Sequence, residues 1–435
     1  MTSDLTHSRI FRMAMPIVLS NATVPLLGAV DTAVIGQMGQ AAPLGAVGLG
    51  AIILATPYWA FGFLRMSTSG LAAQAHGAGD GAERSAVLIR ALLMGAVAGL
   101  GLIVLQGALF AGAFALAPAS VQVEGLARDY LSIRIWGAPA TIGLYALTGW
   151  LVALERTRGV LVLQLWQNGL NIGLDLWFVI GLGWGVPGVA AATLIAEWTG
   201  LMLGLWLARD AFGPVLRQAW TRLGDRAALR LMFTASRDIM GRTVILQGSF
   251  TTFVFLGARF GDVTLAANQV LMQFLEITAY ALDGFAFAAE ALIGQAVGAR
   301  STASVRRASA MCLQWGVGGA ALLALGFWLG GSRIIDAMTT APQVREAARA
   351  YLPWLVAAPL IGVAAWILDG IFIGAMHTGA MLQAMLVSVL IYGVALALLI
   401  PGFHNHGLWA SLMVLNLARS VTMARAFPGV VARAV

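Results

Sequence analysis

Residues 13–39 read MAMPIVLSNATVPLLGAVDTAVIGQMG. The stretch outruns the about 20 apolar residues that carry a helix across a bilayer. It also holds two prolines, Pro16 and Pro25, an asparagine and one carboxylate, Asp31. An ionised Asp in hydrocarbon costs about 2.5–3.5 kcal/mol on insertion scales, so an acid placed there points to movement of an ion or a substrate. Something must offset that cost, and the rest of the chain is read for the partners of Asp31.

The 435 residues are 60% hydrophobic and 10% charged, with a mean hydropathy of +0.85, whereas a soluble globule carries far more charge. The sequence is therefore that of an all-α polytopic membrane protein. The net charge is +7 and every basic residue is arginine. The arginines fall in short clusters between apolar runs, which is the pattern of positive-inside topology and not of a nucleic-acid surface. The single cysteine, Cys312, excludes a disulfide framework. Arg9 and Arg12 precede the first run as in a signal peptide, but the run is too long and lacks a small-residue cleavage site, so it reads as a retained first helix.

Apolar runs predict twelve transmembrane helices near 12–36, 43–70, 86–114, 130–153, 160–183, 186–208, 236–259, 263–290, 306–330, 351–375, 381–401 and 406–427. Arginine content assigns both termini to the cytoplasm. The longest connection separates the halves, giving an N-terminal six-helix bundle over 1–210, a cytoplasmic linker over 211–235 and a C-terminal six-helix bundle over 236–435. Sliding the chain by 221 residues sets Gln74 beside Gln295, Gly77 beside Gly298, Tyr130 beside Tyr351 and Gly149 beside Gly370. An even number of helices per half makes this a parallel repeat, with a pseudo-twofold axis along the membrane normal.

Helix five supplies partners for Asp31. It reads GVLVLQLWQNGLNIGLDLWFVIGLG, with Asn168, Asn171 and Asp175 at i, i+3 and i+7 on one stripe. At the rise of an α-helix, Asp31 lies about 8 Å, Asp175 about 12 Å and Thr193 of helix six about 10 Å from the outer ends of their spans. Asp31, Asn171, Asp175 and Thr193 thus share the outer half of the membrane, with Asn168 as support or interhelical glue. Two carboxyl groups at one depth need a proton or a cation between them, and carboxylate, amide and hydroxyl oxygens suit H⁺ or Na⁺. Two similar bundles without a nucleotide-binding motif indicate gradient-driven alternating access rather than an enzyme or an ATP-driven pump. The five histidines are scattered, with His404 and His406 in a loop.

These residues resemble the multidrug and toxic compound extrusion transporters, on their DinF-like branch. The likeness rests on Pro16 fifteen residues before Asp31, the DTAVIGQMG ending, PLGAVGLG at 43–50, NGLNIGLD in helix five and DGFAFAAEALIGQAVGA over 283–299. It implies a bacterial inner-membrane antiporter that exports organic cations, drugs or other amphipathic small molecules. It also implies cation coupling at Asp31, Asn171, Asp175 and Thr193, and a helix-one proline, Pro16, at which bending accompanies protonation. No cofactor beyond H⁺ or Na⁺ is expected, and the partners are a small-molecule substrate and membrane lipid around a monomer, with no nucleic acid. The branch that resembles NorM places a Glu in helix seven with an Asp in helix ten. Here helix seven, GRTVILQGSFTTFVFLG, has no acid although Asp369 is present in helix ten. Glu276 near mid-membrane is a candidate for substrate contact, and Asp283 and Asp369 for gating in the second half. Arg65 and Glu197 read as structural, and Arg65 as the one plainly intramembrane arginine. The rival functions are a lipid-linked precursor flippase, which calls for several cavity arginines, and a major-facilitator-type transporter.

Overall fold

The computed structural model describes residues 5–37, 41–213 and 215–435. Their regular elements are helical. In chain order they are α1 (His7–Ala22), α2 (Val24–Gly36), α3 (Ala41–Ala60), α4 (Phe63–Gly77), α5 (Gly81–Val104), α6 (Gln106–Leu116), α7 (Val121–Arg134) and α8 (Ala138–Ala153). There follow α9 (Thr157–Asp175), α10 (Gly185–Leu207), α11 (Leu216–Arg222), α12 (Arg226–Ala258), α13 (Asp262–Gly298), α14 (Thr302–Met338), α15 (Pro342–Gly374) and α16 (Thr378–Ala432). Among the described residues, nine helical stretches are long and apolar enough to cross a bilayer. The protein is thus an all-α polytopic membrane protein.

Several of the long runs break where the sequence removes or strains a backbone hydrogen bond. The first helix is continuous through Pro16 and instead breaks at Thr23, just before the Val24-Pro25 start of α2, where a proline N–H is not needed. Thr23 tightens the break by donating from its hydroxyl to the Ser20 carbonyl at 2.7 Å. The 55 residues of α16 would span about 80 Å if straight, and His404 at φ 49° and ψ −124° splits them into two arms. His404 is therefore a corner rather than part of a loop, and His406 packs on Tyr351 while accepting from Trp354 Nε1 at 3.0 Å. Helix four starts at Val121, nine residues before the expected boundary at 130, because the Ser120 hydroxyl accepts from the Val123 amide and caps it.

The chain divides into two compact units. One comprises Met1–Val18, Gly77–Gly79 and Phe233–Val435; the other comprises Leu19–His76 and Asp80–Met232. In the first, Phe253, Phe274, Phe327 and Trp409 centre the core, and Asn268 and Asn405 exchange amide hydrogen bonds at 2.8 and 3.0 Å across it. The opening turns of the chain belong here, with Trp315 Nε1 donating to His7 Nδ1 at 3.1 Å. In the second, Leu54, Tyr130, Leu131, Ile135 and Val189 form the core.

Each unit repeats one close helix contact. A Cβ on Gly149 would meet the Arg65 carbonyl, and a Cβ on Gly370 would meet the Ala286 carbonyl. Both members of the second contact lie 221 positions after those of the first. Only glycine lets the two backbones approach this far.

The connecting segment 209–225 is tied to the second unit. Arg222 Nη1 reaches Asp80 Oδ2 at 2.5 Å, Arg90 Nη2 donates to the Arg222 carbonyl at 2.5 Å, and Arg156 grips both Asp210 oxygens at 2.7 and 2.8 Å. Burial opposes ionisation of Asp80, but the Glu83 amide that it caps and the Arg222 guanidinium outweigh this and hold its carboxyl below the usual carboxylate range.

Gly370→Ala should therefore destabilise the protein by about 1–3 kcal/mol through overpacking. Gly248→Ala, where a Cβ meets nothing within 4 Å, should stabilise it by about 0.5–1 kcal/mol. Thermal unfolding in detergent compares the two, and equal stability of Gly370→Ala and the parent would refute the close contact.

Candidate functional site

Three helices of the second unit converge on a polar cluster. Asn168, Asn171 and Asp175 occupy one face of α9 at 6, 2 and 0% exposure. Beyond Asp175 the helix widens into a π turn, Leu176–Gly181, and then a glycine-rich corner with Gly183 and Gly185 at φ 68° and 60°. Phe178 stacks on Trp184 at 4.7 Å between ring centres and closes the corner. Asp175 is thereby fixed at the last α-helical position, where a π turn re-aims a functional side chain.

Asn168 Nδ2 donates to Thr23 Oγ1 at 2.8 Å, so it ties α9 to the break in the first helix. Asn171 joins the remaining groups, and its amide can be placed two ways round. With its nitrogen towards the acids, it donates to Asp175 Oδ2 at 3.3 Å and Asp31 Oδ1 at 3.2 Å, and its oxygen accepts from Thr193 Oγ1 at 3.1 Å. Turned over, its nitrogen donates to Thr193 Oγ1 at 3.1 Å and its oxygen faces the carboxyl groups. In the first orientation the oxygen also accepts from the Thr193 amide at 3.2 Å, so every amide atom is paired while both acids are ionised; the second sets the nitrogen against that N–H and the oxygen against the two acids. An amide oxygen facing two carboxylates is satisfied only when a proton or a cation lies between them. Asp175 Oδ1, fully buried, has no hydrogen-bond donor among the described residues. The structure thus brings Asp31, Asn171, Asp175 and Thr193 together and leaves an acceptor that a proton or a hard cation fits.

Next to this cluster lies a charge pair that sequence reasoning missed. Arg134, the last residue of α7, holds Glu197 of α10 by both nitrogens, at 2.6 and 3.0 Å, with both side chains buried. Gly137 makes room for it, since a Cβ there would strike Glu197 Oε2. Tyr130, one turn earlier on α7, adds a hydrogen bond to Arg134, and the Arg134 charge is felt at Asp31.

The first unit has its own charge cluster. Asp369 Oδ2 accepts from Arg242 and, at 2.7 Å, from Arg419 Nη2, whose Nη1 also donates to Asn416 Oδ1 at 3.2 Å. Asp283 acts on Arg242 electrostatically. Arg134, Arg242 and Arg419 correct the view of Arg65 as the one plainly intramembrane arginine: all three are buried, within helical stretches long and apolar enough to cross a bilayer. Arg242 stands in the very stretch of helix seven scanned for acids, and reading that stretch for both signs of charge would have found it.

Glu276 lines a cavity of about 460 Å³ in this unit together with Gln247, Phe250, Gln269, Gln273 and Trp366. One carboxylate and three amides among aromatic walls suit an amphipathic cation. Among the described residues, no three His, Cys, Asp or Glu side chains are grouped to hold a metal ion.

A helical membrane protein whose two neighbouring acids, Asp31 and Asp175, have no ion-pair partner among the described residues fits the class of ion-coupled carriers. The sequence profile of the MatE family matches this chain twice, over residues 16–177 and 239–399. The DNA damage-inducible protein F of Escherichia coli is 40% identical over 423 residues, spanning 95% of this chain and 90% of that protein. A probable multidrug resistance protein NorM of Synechococcus is 30% identical over 72% of this chain and 67% of its own length. A crystal structure of a MATE protein in the bent conformation superposes with a TM-score of 0.88 at 17% identity, covering 98% of this chain and 95% of that one. The chain therefore belongs to the MatE family of multidrug and toxic compound extrusion transporters, on its DinF-like branch.

Removing one side of the Arg134–Glu197 pair leaves a buried charge alone. Arg134→Met or Glu197→Met should each cost about 3–5 kcal/mol, and the double substitution should restore most of that stability. A thermal-unfolding double-mutant cycle in detergent measures it, and additive losses would show that the pair is not coupled.

Proposed function

We propose that this protein is a proton-coupled antiporter that exports organic cations and other amphipathic small molecules by alternating access, with Asp31, Asn171, Asp175 and Thr193 as its coupling site. The observation that carries this reading is the orphaned, fully buried Asp175 Oδ1 beside the Asn171 amide. A proton completes the cluster without further ligands. Na⁺ requires several oxygens turned towards it at once, while the Thr193 hydroxyl donates to Val189 and pairs with Asn171, which leaves it a single lone pair. In the loaded state the Asn171 oxygen faces a protonated acid; when the proton leaves, the amide turns and its nitrogen holds both carboxylates. Each turn of the amide changes the bonds between α2, α9 and α10, which links ion occupancy to helix position.

Pro16 and Asn168 act as supports, Asn168 through its bond to Thr23. Asp369 and Asp283 serve as a strut, because Arg242 and Arg419 already neutralise Asp369 and a mobile cation would have to displace them. The same commitment weighs against a flippase for anionic lipid-linked precursors, since each buried arginine described above is bound to an acid of the chain itself. Glu276 supplies the counter-charge for a cationic substrate in the cavity around Trp366. The architecture is read as twelve transmembrane helices in two pseudo-twofold-related bundles, over 1–210 and 236–435 with a linker between. Counting α1–α2, α9 with its π turn and the two arms of α16 separately supports that number, as does the repeated glycine contact. The protein is placed as a monomer in the bacterial inner membrane with both termini cytoplasmic, in accord with its arginine clusters.

In proteoliposomes, Asp31→Asn and Asp175→Asn should each abolish drug export driven by an imposed pH gradient while leaving the folded monomer intact by size exclusion; full export in either variant would overturn the coupling site. Transport driven by a Na⁺ gradient at equal pH on both sides, and not by a pH gradient, would replace the proton with Na⁺. Glu276→Gln should raise the half-saturating concentration of a monocationic substrate about tenfold, the scale of one lost charged contact, and spare an uncharged one.

A further inference from the structure

A second cavity, of about 560 Å³, lies in the first unit and plays no part in the coupling or substrate sites. Its walls are single faces of three helices. Arg306, Ala310 and Leu313 come from α14, Ala364, Leu368 and Ile371 from α15, and Ser420, Val421, Ala424 and Phe427 from the second arm of α16. The spacing of three or four residues within each set gives a groove about two helical turns deep. Alanines and serines hollow it, and the exposure of Leu313 and Val421, 38 and 41%, leaves it open along its length.

Its two ends differ. Arg306 lies in the second turn of α14, and Phe427 lies near the end of α16. This is the end of the unit that also carries Arg300, Arg307, Arg425 and Arg433. Among the described residues Arg306 has no ion-pair or hydrogen-bond partner, and its side chain is exposed at the rim. Ser309, one turn further into the groove and 7% exposed, has a hydroxyl with no hydrogen-bond partner among the described residues. A buried hydroxyl left unsatisfied is a destabilising feature unless a ligand completes it. The groove thus sets a cation at its mouth, an unsatisfied donor just inside and hydrocarbon walls beyond. That sequence of environments is the one a phospholipid presents in reverse: a phosphate, then ester oxygens, then acyl chain.

We propose that this groove holds one anionic phospholipid, with its phosphate on Arg306, a phosphate or ester oxygen accepting from Ser309, and an acyl chain along Leu313, Leu368 and Val421. Charge complementarity selects an anionic head group over a zwitterionic one, since the arginines nearby raise the local potential and no described acid lines the groove. The site needs neither the coupling acids nor Glu276, so its occupancy acts on the packing of α14, α15 and α16 and not on the chemistry of ion exchange.

Native mass spectrometry of the detergent-purified full chain tests this with three probes: phosphatidylglycerol, phosphatidylcholine of the same acyl chains, and glycerol phosphate without chains. Phosphatidylglycerol should be retained as a single tight adduct in preference to the other two. Arg306→Gln, a change at an exposed side chain, should weaken retention about fivefold, the worth of one arginine at a lipid surface. Ala310→Trp, which fills the groove without altering charge, should remove the adduct. Where the tryptophan variant does not fold, Ser309→Ala takes its place, with a smaller loss expected. Equal retention of phosphatidylcholine, or unchanged retention in Arg306→Gln, would reduce the groove to ordinary hydrocarbon contact and overturn the proposal. Binding of glycerol phosphate as tight as that of phosphatidylglycerol would make it an anion site and overturn it equally.

Discussion

Charge buried inside apolar helices must be compensated within the protein, and that constraint organises both units. An isolated ion removed from water is penalised by several kcal/mol even after relaxation. Glu197 meets the requirement with Arg134, and Asp369 meets it twice over with Arg242 and Arg419. These are permanent solutions. An arginine does not lose its proton in a protein, so an acid held by one is ionised in every state of a working cycle. Asp31 and Asp175 are compensated differently. The neighbouring Arg134 already spends both terminal nitrogens on Glu197, and what faces the two acids directly is an amide and, through it, a hydroxyl. Neutral dipoles can serve either protonation state by turning, whereas a guanidinium serves one.

The two halves show how such a difference arises on one scaffold. The contact of Gly149 with Arg65 recurs as Gly370 with Ala286 at the 221-residue offset, so this close helix approach is common to both. The charges are not. At that offset Asp31 corresponds to Thr252, Arg134 to Leu355 and Glu197 to Ala418, while Asp369 and Arg419 correspond to Thr148 and Trp198. Close backbone approach depends on small residues at a few fixed positions. The polar side chains occupy other positions and vary without disturbing it.

The same separation explains what could be read from the sequence. The all-α, membrane-spanning character was legible because apolar runs have a length set by the bilayer, and the Asn168, Asn171 and Asp175 stripe was legible because helical periodicity alone places it on one face. Arg134 was obscured by an error of nine residues at a helix start: a boundary at Tyr130 leaves it near water, whereas the Ser120 cap and the start at Val121 carry it inside. The pairing of Arg242 and Arg419 was hidden for another reason. Their partner lies 127 and 50 residues away in sequence, and local pattern gives no information on which charges meet across helices. Of the two prolines in the first stretch, Pro25 lies beside the break and Pro16 does not. Pro16 sits within continuous helix, and the break falls at Thr23, where a hydroxyl and a following helix start cooperate.

That break gives the α9 stripe its meaning. Asn168 holds Thr23 and Asn171 reaches Asp31, so contacts ascend both helices in the same order and the two helices run parallel at this point. From Asn168 to Asp175 is about 10 Å along α9, and from Thr23 to Asp31 about 12 Å along the first helix, close enough for one face of α9 to hold the segment at the break and again at Asp31. The chain reaches Thr23 from residues that belong to the other unit, since the division falls between Val18 and Leu19. Asp31 and Thr23 share one short segment, so the same face of α9 holds both of its ends, through Asn171 at one and Asn168 at the other.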